Sequence, residues 1–548
     1  MTLRTVIVGS GVAATALAKT LLDEDPKAPI LVLEAGPRVK LKDFGLWEQY
    51  LITGQLPYDS CKDQQYPQND VPGENASVGG TDLPLAGGRV MTYGGSTIHW
   101  GGWSFRLKPE DFRLFSNAKV GADWPLSYDD LEPFYGRAER FIGVSGDSAD
   151  PTVPRSTQYP YPAFPYSLED RPLVRALESL RYAYSHLPIA RHGVTETTGK
   201  QAPCQTTGTC KYCPFGARFA ATNVLNDMVE WNDYPNFKVQ TGVIVDAICM
   251  KSKTLSGGVM VRRGTDAPLE LVEADRVVVA AGTIESAKLL LRSTSSLWPQ
   301  GVGNDADLVG RHLVTHPYFI FTASTKGNPL GLQKEMDFPT LCTRHFDSET
   351  EQRSGKFILV NPPDTVDPKV VSMMKAGKSR DLINKAILEA NTIRLHGMLE
   401  VFGEAKNRVK NMPGKPSHLG LQQTIVDYTK DRNFDRRMGQ IQRKVAKIFK
   451  KMDASLTEKP SVSWRADHAG STCRMGNDPA MSVVDGNLRI HGVDNVYVCS
   501  NATFPSIGAI NPTLTLTALA LRLGDHLLGR PYKAGSETKD ARSVEGVV

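Results

Sequence analysis

The first 34 residues restrict what this chain can fold into more than any other stretch. Thr5-Val6-Ile7-Val8 is β-branched and apolar, as suits a strand buried on both faces of a parallel sheet. Gly9-Ser10-Gly11-Val12-Ala13-Ala14 follows at once, a G-x-G-x-x-A run in which Ala14 takes the third small position. A helical run continues through Leu22, and a second strand, Ile30-Leu31-Val32-Leu33, ends in Glu34, 20 residues after Ala14. Gly9 permits the tight turn, and Gly11 lets the backbone approach a pyrophosphate. The start of the helix, at Val12 and Ala13, offers free N–H groups and a positive dipole end. Glu34, followed by Ala35, can accept hydrogen bonds from a ribose diol, and an acid there with no arginine in its place argues against NADP. The pattern predicts dinucleotide binding but does not separate NAD from FAD.

Two distant stretches carry the same strand signature. Ala274 to Gly282 reads as a buried strand ending in glycine, and Val496-Tyr497-Val498-Cys499 reads alike. If all three share a sheet, the nucleotide domain is assembled from separated segments and the intervening chain supplies a second domain. The net charge of +5, from 64 basic and 59 acidic residues, is spread over 548 positions, so no nucleic-acid partner is expected. No run of 18 apolar residues occurs, so no membrane span is expected. Nothing at the N-terminus reads as a secretory signal, so the expected location is cytoplasmic and the sequon Asn75-Ala76-Ser77 is read as chance. Eight cysteines over this length make no disulfide framework.

An ordered set of further motifs is more specific. Residues 87–102 read Gly-Gly-Arg-Val-Met-Thr-Tyr-Gly-Gly-Ser-Thr-Ile-His-Trp-Gly-Gly. Asp123-Trp124-Pro125-Leu126-Ser127-Tyr128 and Glu132-Pro133-Phe134-Tyr135 follow, then Gly-Thr-Ile-Glu-Ser-Ala-Lys over 282–288. Val309-Gly310-Arg311-His312 and His316 come next. His-Ala-Gly-Ser-Thr-Cys-Arg-Met-Gly occupies 468–476, and Asn501-Ala502-Thr503-Phe504-Pro505 precedes Asn511-Pro512-Thr513-Leu514-Thr515. This set, running from residue 5 to about 528, resembles the glucose–methanol–choline (GMC) flavoprotein oxidoreductases. Within them, the surroundings of His99 and the His468/Asn511 pair look most like the pyranose oxidase and glycoside 3-oxidase branch.

The resemblance implies an α/β fold: a Rossmann-type FAD-binding domain built from discontinuous segments, with an α+β, sheet-based substrate domain. The expected boundaries are 1–110, 196–316 and 465–530 for the FAD-binding parts, the last carrying the catalytic pair. Residues 111–195 make the first part of the substrate domain and the connecting segment, 317–464 the substrate-binding domain, and 531–548 a flexible tail. It also implies oxidation of an alcohol to a carbonyl, on a sugar or glycoside at pyranose carbon 2 or 3, with dioxygen or another electron acceptor reoxidising the flavin. His468 is then the base, since an imidazole titrates near working pH. Asn511 holds the hydroxyl, because its amide both donates and accepts. Asn511 also reads as an N-cap, with Pro512 as the first helical residue. Arg89, Gly95, Ser96, Trp100 and Gly101 are expected at the flavin or pyrophosphate, as are Val243, Ala281, Asn501, Ala502, Pro512 and Thr513. His99 matches the position of a covalent flavin link in pyranose oxidases; such a link is an option here, not the default.

Cys204, Cys210 and Cys213 form C-x5-C-x2-C, whereas some GMC dehydrogenases carry a three-iron cluster on C-x5-C-x3-C-P-x-G-A. The last spacing is one residue short. A metal-free loop is therefore the expectation, with iron–sulfur and zinc sites as alternatives. Cys473 reads as packing, and Cys61, Cys249, Cys342 and Cys499 suggest nothing beyond burial. Lys430 to Met452 holds nine Lys or Arg residues above a stripe of Met438, Ile441, Val445, Ile448 and Met452, the pattern of a solvated basic face. The polar segment Glu349 to Asp381 is a candidate lid or oligomer contact. Two other readings stay open: an FAD dehydrogenase with an iron–sulfur cluster and an electron-carrier partner, and an NAD-dependent dehydrogenase, which only the first 34 residues support. The oligomeric state is open.

Overall fold

A computed structural model describes residues 3–38, 48, 75–85, 89–193, 203–205, 213, 215–230, 233–264, 266–326, 338–361, 368–388, 392–417 and 419–530. Gly87, Gly88, Cys61, Cys210, part of the segment Glu349 to Asp381, and the tail 531–548 lie outside them.

The strand Thr5–Val8 is buried along its whole length because it is the middle of a five-stranded parallel sheet. Ile30–Glu34 lies on one side, in register Val6 to Leu31, and Phe237–Thr241 continues that edge. Arg276–Val279 lies on the other side, in register Val6 to Val277, and Val496–Val498 closes that edge. The three valine-rich stretches singled out in the sequence therefore do share one sheet. Parallel strands need crossovers, and the helices Val12–Glu24 and Gly282–Arg292 follow two of the strands directly. The apolar helix Thr513–Leu527 packs on Val12–Glu24 and on Tyr128–Ile142.

The second large sheet is antiparallel with seven strands. Pro317–Thr325 pairs with Thr392–Leu399 on one side and with both Ala454–Leu456 and Ser461–Trp464 on the other. Phe357–Val360, Leu341–Thr343 and Tyr184–His186 extend it. The basic helix runs from Phe434 to Lys451 and buries Met438, Ile441, Val445 and Ile448 against this sheet, so its cationic face is the outward one. Of the segment Glu349 to Asp381, Phe357–Val360 is a buried strand of this sheet, and the helix Pro368–Lys375 pairs with Arg380–Leu388. Among the described residues no helix is long and apolar enough to cross a membrane.

An ion cluster with Arg106 and Glu139 fully buried at its centre ties the helix Tyr128–Ile142 to the loop that precedes it. Arg106 grips Glu139 with two bonds of 2.7 and 2.8 Å and reaches Glu132 at 2.8 Å, while Arg155 comes within 3.2 Å of Glu139. Removing one partner of such a cluster strands the others without water. Glu139→Ala is expected to lower stability by about 3–5 kcal/mol, read as a shift of the urea midpoint; a shift under a fifth of that size would show the cluster is not anchoring the helix.

Candidate active site

The turn after the first strand is built for close approach. Gly9 has φ +97°, and a Cβ on it would stand 2.7 Å from the carbonyl oxygen of Ala280, just past the end of the neighbouring strand. Gly11 starts the helix Val12–Glu24 with no side-chain cap, so the first N–H groups of that helix are not taken by a side chain. Gly95 faces it: a Cβ there would lie 3.0 Å from the Gly11 Cα. Ser10 joins the parts of this cradle. Its hydroxyl donates to Glu34 at 2.7 Å and accepts from the Gly94 N–H at 3.0 Å. Glu34 also accepts from the Ser10 and Gly36 N–H groups, at 3.0 and 2.9 Å. Burial pushes this carboxyl above its usual range, opposed by those donors. Part of the capacity assigned to a ribose diol is thus spent on holding the glycine turn, which the sequence reading had not anticipated.

A cleft of about 1290 Å³, its mouth included, opens onto this cradle. Gly9, Gly11, Val12, Ala13, Glu34 and Ala35 line it from the first βαβ unit. Arg89, Gly95, Ser96 and Trp100 come from the second motif, and Val243 and Ala281 from the turns that follow the strands Phe237–Thr241 and Arg276–Val279. Asn501 and Thr513 come from the C-terminal part. Four residues expected at a cofactor, namely His99, Gly101, Ala502 and Pro512, are not among those lining it. Met91, Glu285, Arg292 and Asp467 line it without having been singled out. Arg292 could have been noticed as the polar end of the apolar helix starting at Gly282. Its guanidinium donates to the carbonyls of Val245 and Asp246 at 2.8 and 2.7 Å.

The Gly95–Ile98 turn is held from outside by Arg218, whose guanidinium donates to the carbonyls of Thr97, Ile98 and Trp100 at 3.0, 2.7 and 2.6 Å. Arg218 follows the Cys213-Pro214-Phe215-Gly216-Ala217 segment in sequence, so that segment delivers a clamp to the turn. Of the three candidate metal-binding thiols, Cys204 accepts from Arg191 at 2.8 Å and Cys210 lies outside the described residues. Among the described residues no group of three or more His, Cys, Asp or Glu is placed to hold a metal ion.

His468 and Asn511, 43 residues apart, meet with His468 Nε2 3.1 Å from Asn511 Nδ2. Neither is among the residues lining the cleft, but Asp467, next to His468, and Thr513, two residues past Asn511, are. The short turn Ala466–His468 is fastened to the helix Gly282–Arg292, since Thr472 donates to the Thr283 carbonyl at 2.7 Å and Thr283 donates to that of Ala469. Loss of water around His468 lowers its pKa from the usual histidine value; Asp467 opposes this, and Arg465 and Arg89 add to it. The ring is therefore neutral at physiological pH. The expected cap at Asn511 is not found: Pro512 is the N-cap of Thr513–Leu527, and the Asn511 amide turns instead to His468. A side chain already bonded to a ring across the site is not available to the helix.

The cradle of Gly9, Gly11 and Gly95, the uncapped helix start and the buried Asn501 Oδ1, which has no partner among the described residues, fit a dinucleotide laid along the cleft.

Comparison with known proteins agrees with these features. The chain matches the GMC oxidoreductase family in its N-terminal part over residues 5–318 and in its C-terminal part over residues 404–520. It is 27% identical over 540 residues to a protein named the fructose dehydrogenase large subunit of Gluconobacter japonicus, covering 95% of this chain and 97% of that one. It is 32% identical over 444 residues to the 6'''-hydroxyparomomycin C oxidase of Streptomyces lividus, covering 78% and 77%. Among solved structures, a formate oxidase of Aspergillus oryzae RIB40 superposes with a TM-score of 0.60 at 16% identity, covering 96% of this chain and 98% of that one. A pyridoxine 4-oxidase from Mesorbium loti superposes with a TM-score of 0.58 at 17% identity, covering 96% and 99%. Identities this low speak for the fold alone.

Gly9→Ala puts a Cβ against Ala280 and forces a non-glycine residue into a left-handed turn. A stability loss on the order of 1–3 kcal/mol is expected, with cofactor washed out on desalting; wild-type melting and wild-type cofactor content in the variant would refute the cradle.

Proposed function

The chain belongs to the GMC oxidoreductase family, FAD-dependent enzymes acting on CH–OH donors, and from that premise we propose that it oxidises an alcohol of a sugar or glycoside through the His468/Asn511 pair. Of the earlier readings, the NAD-dependent dehydrogenase is thereby set aside. The observation that carries the proposal is the 3.1 Å pairing of a neutral imidazole with an amide, next to Asp467 and Thr513, which line the cleft. His468 takes the hydroxyl proton on a ring nitrogen. The Asn511 Oδ1, which has no partner among the described residues, is left to hold the substrate hydroxyl. Bound FAD supplies the acceptor for the hydride that leaves the same carbon. The start of the helix Thr513–Leu527 points its positive dipole end at the cleft through Thr513, which favours negative charge arriving there. A base placed this way typically contributes about 10²–10⁴-fold.

The sugar assignment follows the relatives, whose names specify a sugar and an aminoglycoside. The ring hydroxyl at carbon 2 or 3 is the first choice from the motifs. The exocyclic carbon 6 is the second reading, favoured by the 29% identical paromamine 6'-oxidase of Streptomyces fradiae. Dioxygen or another electron acceptor takes the electrons onward, FAD is held without a covalent link to His99, and the cytosol is the expected location.

The test is anaerobic bleaching of the yellow enzyme against a panel of sugars, glycosides and aminoglycosides, followed by readmission of air. Bleaching by a member of the panel is expected; bleaching only by simple alcohols would overturn the substrate class. His468→Ala should keep its flavin and lose about 10²–10⁴-fold in bleaching rate, and full rate in that variant would remove His468 from the mechanism. With its pKa held below the ordinary value near 6.5, His468 stays deprotonated through neutral pH, so the bleaching rate should hold from pH 8 to about 6.5 and fall only in more acid solution. A rate already halved well above pH 6.5 would contradict the direction of the shift.

A further inference from the structure

We infer that His316 is a positioning residue that decides which nitrogen of His468 is bare, so that the base works through Nε2. The inference rests on the reading of His468 as base. It starts from a carbonyl. The Gly508 oxygen lies 2.8 Å from His316 Nε2. A carbonyl only accepts, so that nitrogen carries the hydrogen. His316 is 2% exposed, and burial with His468 beside it drives its pKa down to about 3, so the ring is neutral and its Nδ1 is bare. That bare Nδ1 lies 3.0 Å from His468 Nδ1. Two bare nitrogens at this distance would repel, so His468 Nδ1 is the donor. A neutral His468 that carries its hydrogen on Nδ1 is bare at Nε2, the atom facing Asn511. The same reasoning orients the Asn511 amide, with its nitrogen toward His468.

The backbone builds this chain of bonds. Pro317 pairs with Trp464 at the end of the antiparallel ladder between Pro317–Thr325 and Ser461–Trp464. Beyond it, Thr315 donates to the Arg465 carbonyl and Val314 exchanges bonds with Gly470. His316 and the Ala466–His468 turn are thus held side by side, with ring centroids 5.2 Å apart and planes at 85°. The opposite tautomer would point N–H at the substrate hydroxyl and make the base useless until it rearranged. Nε2 has one lone pair, so the Asn511 N–H it accepts turns to the substrate oxygen as the hydroxyl proton arrives; both His468 nitrogens then carry hydrogen, and the His316 lone pair still accepts from Nδ1 and stabilises the cation. The charged groups facing His468 are Asp467, Arg465 and Arg89.

Two measurements test this. Nitrogen-15 spectra of the histidine-labelled holoenzyme, with peaks assigned through His468→Ala and His316→Ala, should show His468 with hydrogen on Nδ1 and a bare Nε2 at pH 7. Hydrogen on Nε2, or a doubly protonated ring, overturns the inference whatever the turnover. In His316→Asn the side-chain oxygen takes the place of the ring Nδ1 and keeps the acceptor, whereas His316→Gln reaches only the place of Nε2. His316→Gln is expected to lose about 10–100-fold in anaerobic flavin reduction with little change in substrate affinity, and His316→Asn to recover most of that loss. Equal losses in the two, or a loss confined to affinity or to flavin content, mean that His316 only fills space. Should His468→Ala bleach at full rate, the base reading fails while the tautomer result stands on its own spectrum.

Discussion

The five-stranded parallel sheet is the constraint on which the rest of the molecule depends. Its middle strand is Thr5–Val8, and its neighbours come from residues 30, 237, 276 and 496. A parallel neighbour cannot be reached by a tight turn, so every pairing throws a long connection across the molecule. Those connections carry the chemistry. The Gly9 turn, the start of the helix Gly282–Arg292 and the segment after Val498 all leave the carboxyl ends of strands in the same sheet. Ligands bind in that crevice in open α/β sheets, and here it is where the cleft opens.

The second sheet does a different task. It does not contribute to the glycine cradle, yet its longest strand pins the Ala466–His468 turn. The ladder from Pro317 to Ile320 against Ser461 to Trp464 ends where His316 and His468 begin to face each other. One sheet thus places the expected cofactor and the other the expected base, and the shared edge between them is the polar chain Gly508–His316–His468–Asn511. Each link has an acceptor and a donor, as a buried polar network requires.

The buried charge is a third theme. Glu34 and the Arg106 cluster are ionisable groups with almost no access to water. In each case a partner comes from a separate part of the chain: Ser10 for Glu34, Glu132 and Glu139 for Arg106. Such groups are costly unless paired, and once paired they hold the segments in one arrangement. Ser10 shows the functional side of this, since its hydroxyl ties Glu34 to the Gly94 turn and so joins both halves of the cradle.

Much of the fold was legible in the sequence because its signals are local. Strand, glycine turn, helix and acid occupy one continuous run, and the valine-rich stretches at 276 and 496 announce buried parallel strands by composition alone. The stripe Met438, Ile441, Val445 and Ile448 announces its helix in the same way. The motif around His468 likewise marked it without any coordinates. What the sequence could not carry is pairing across distance. Whether Asn511 caps a helix or turns to His468, which part of Glu34 is spent on Ser10, and that Arg218 clamps the Gly95 turn all depend on which strands end side by side. The tautomer of a histidine is the extreme case. It is set by one carbonyl oxygen, that of Gly508, which no side chain in the sequence identifies and only the folded backbone delivers.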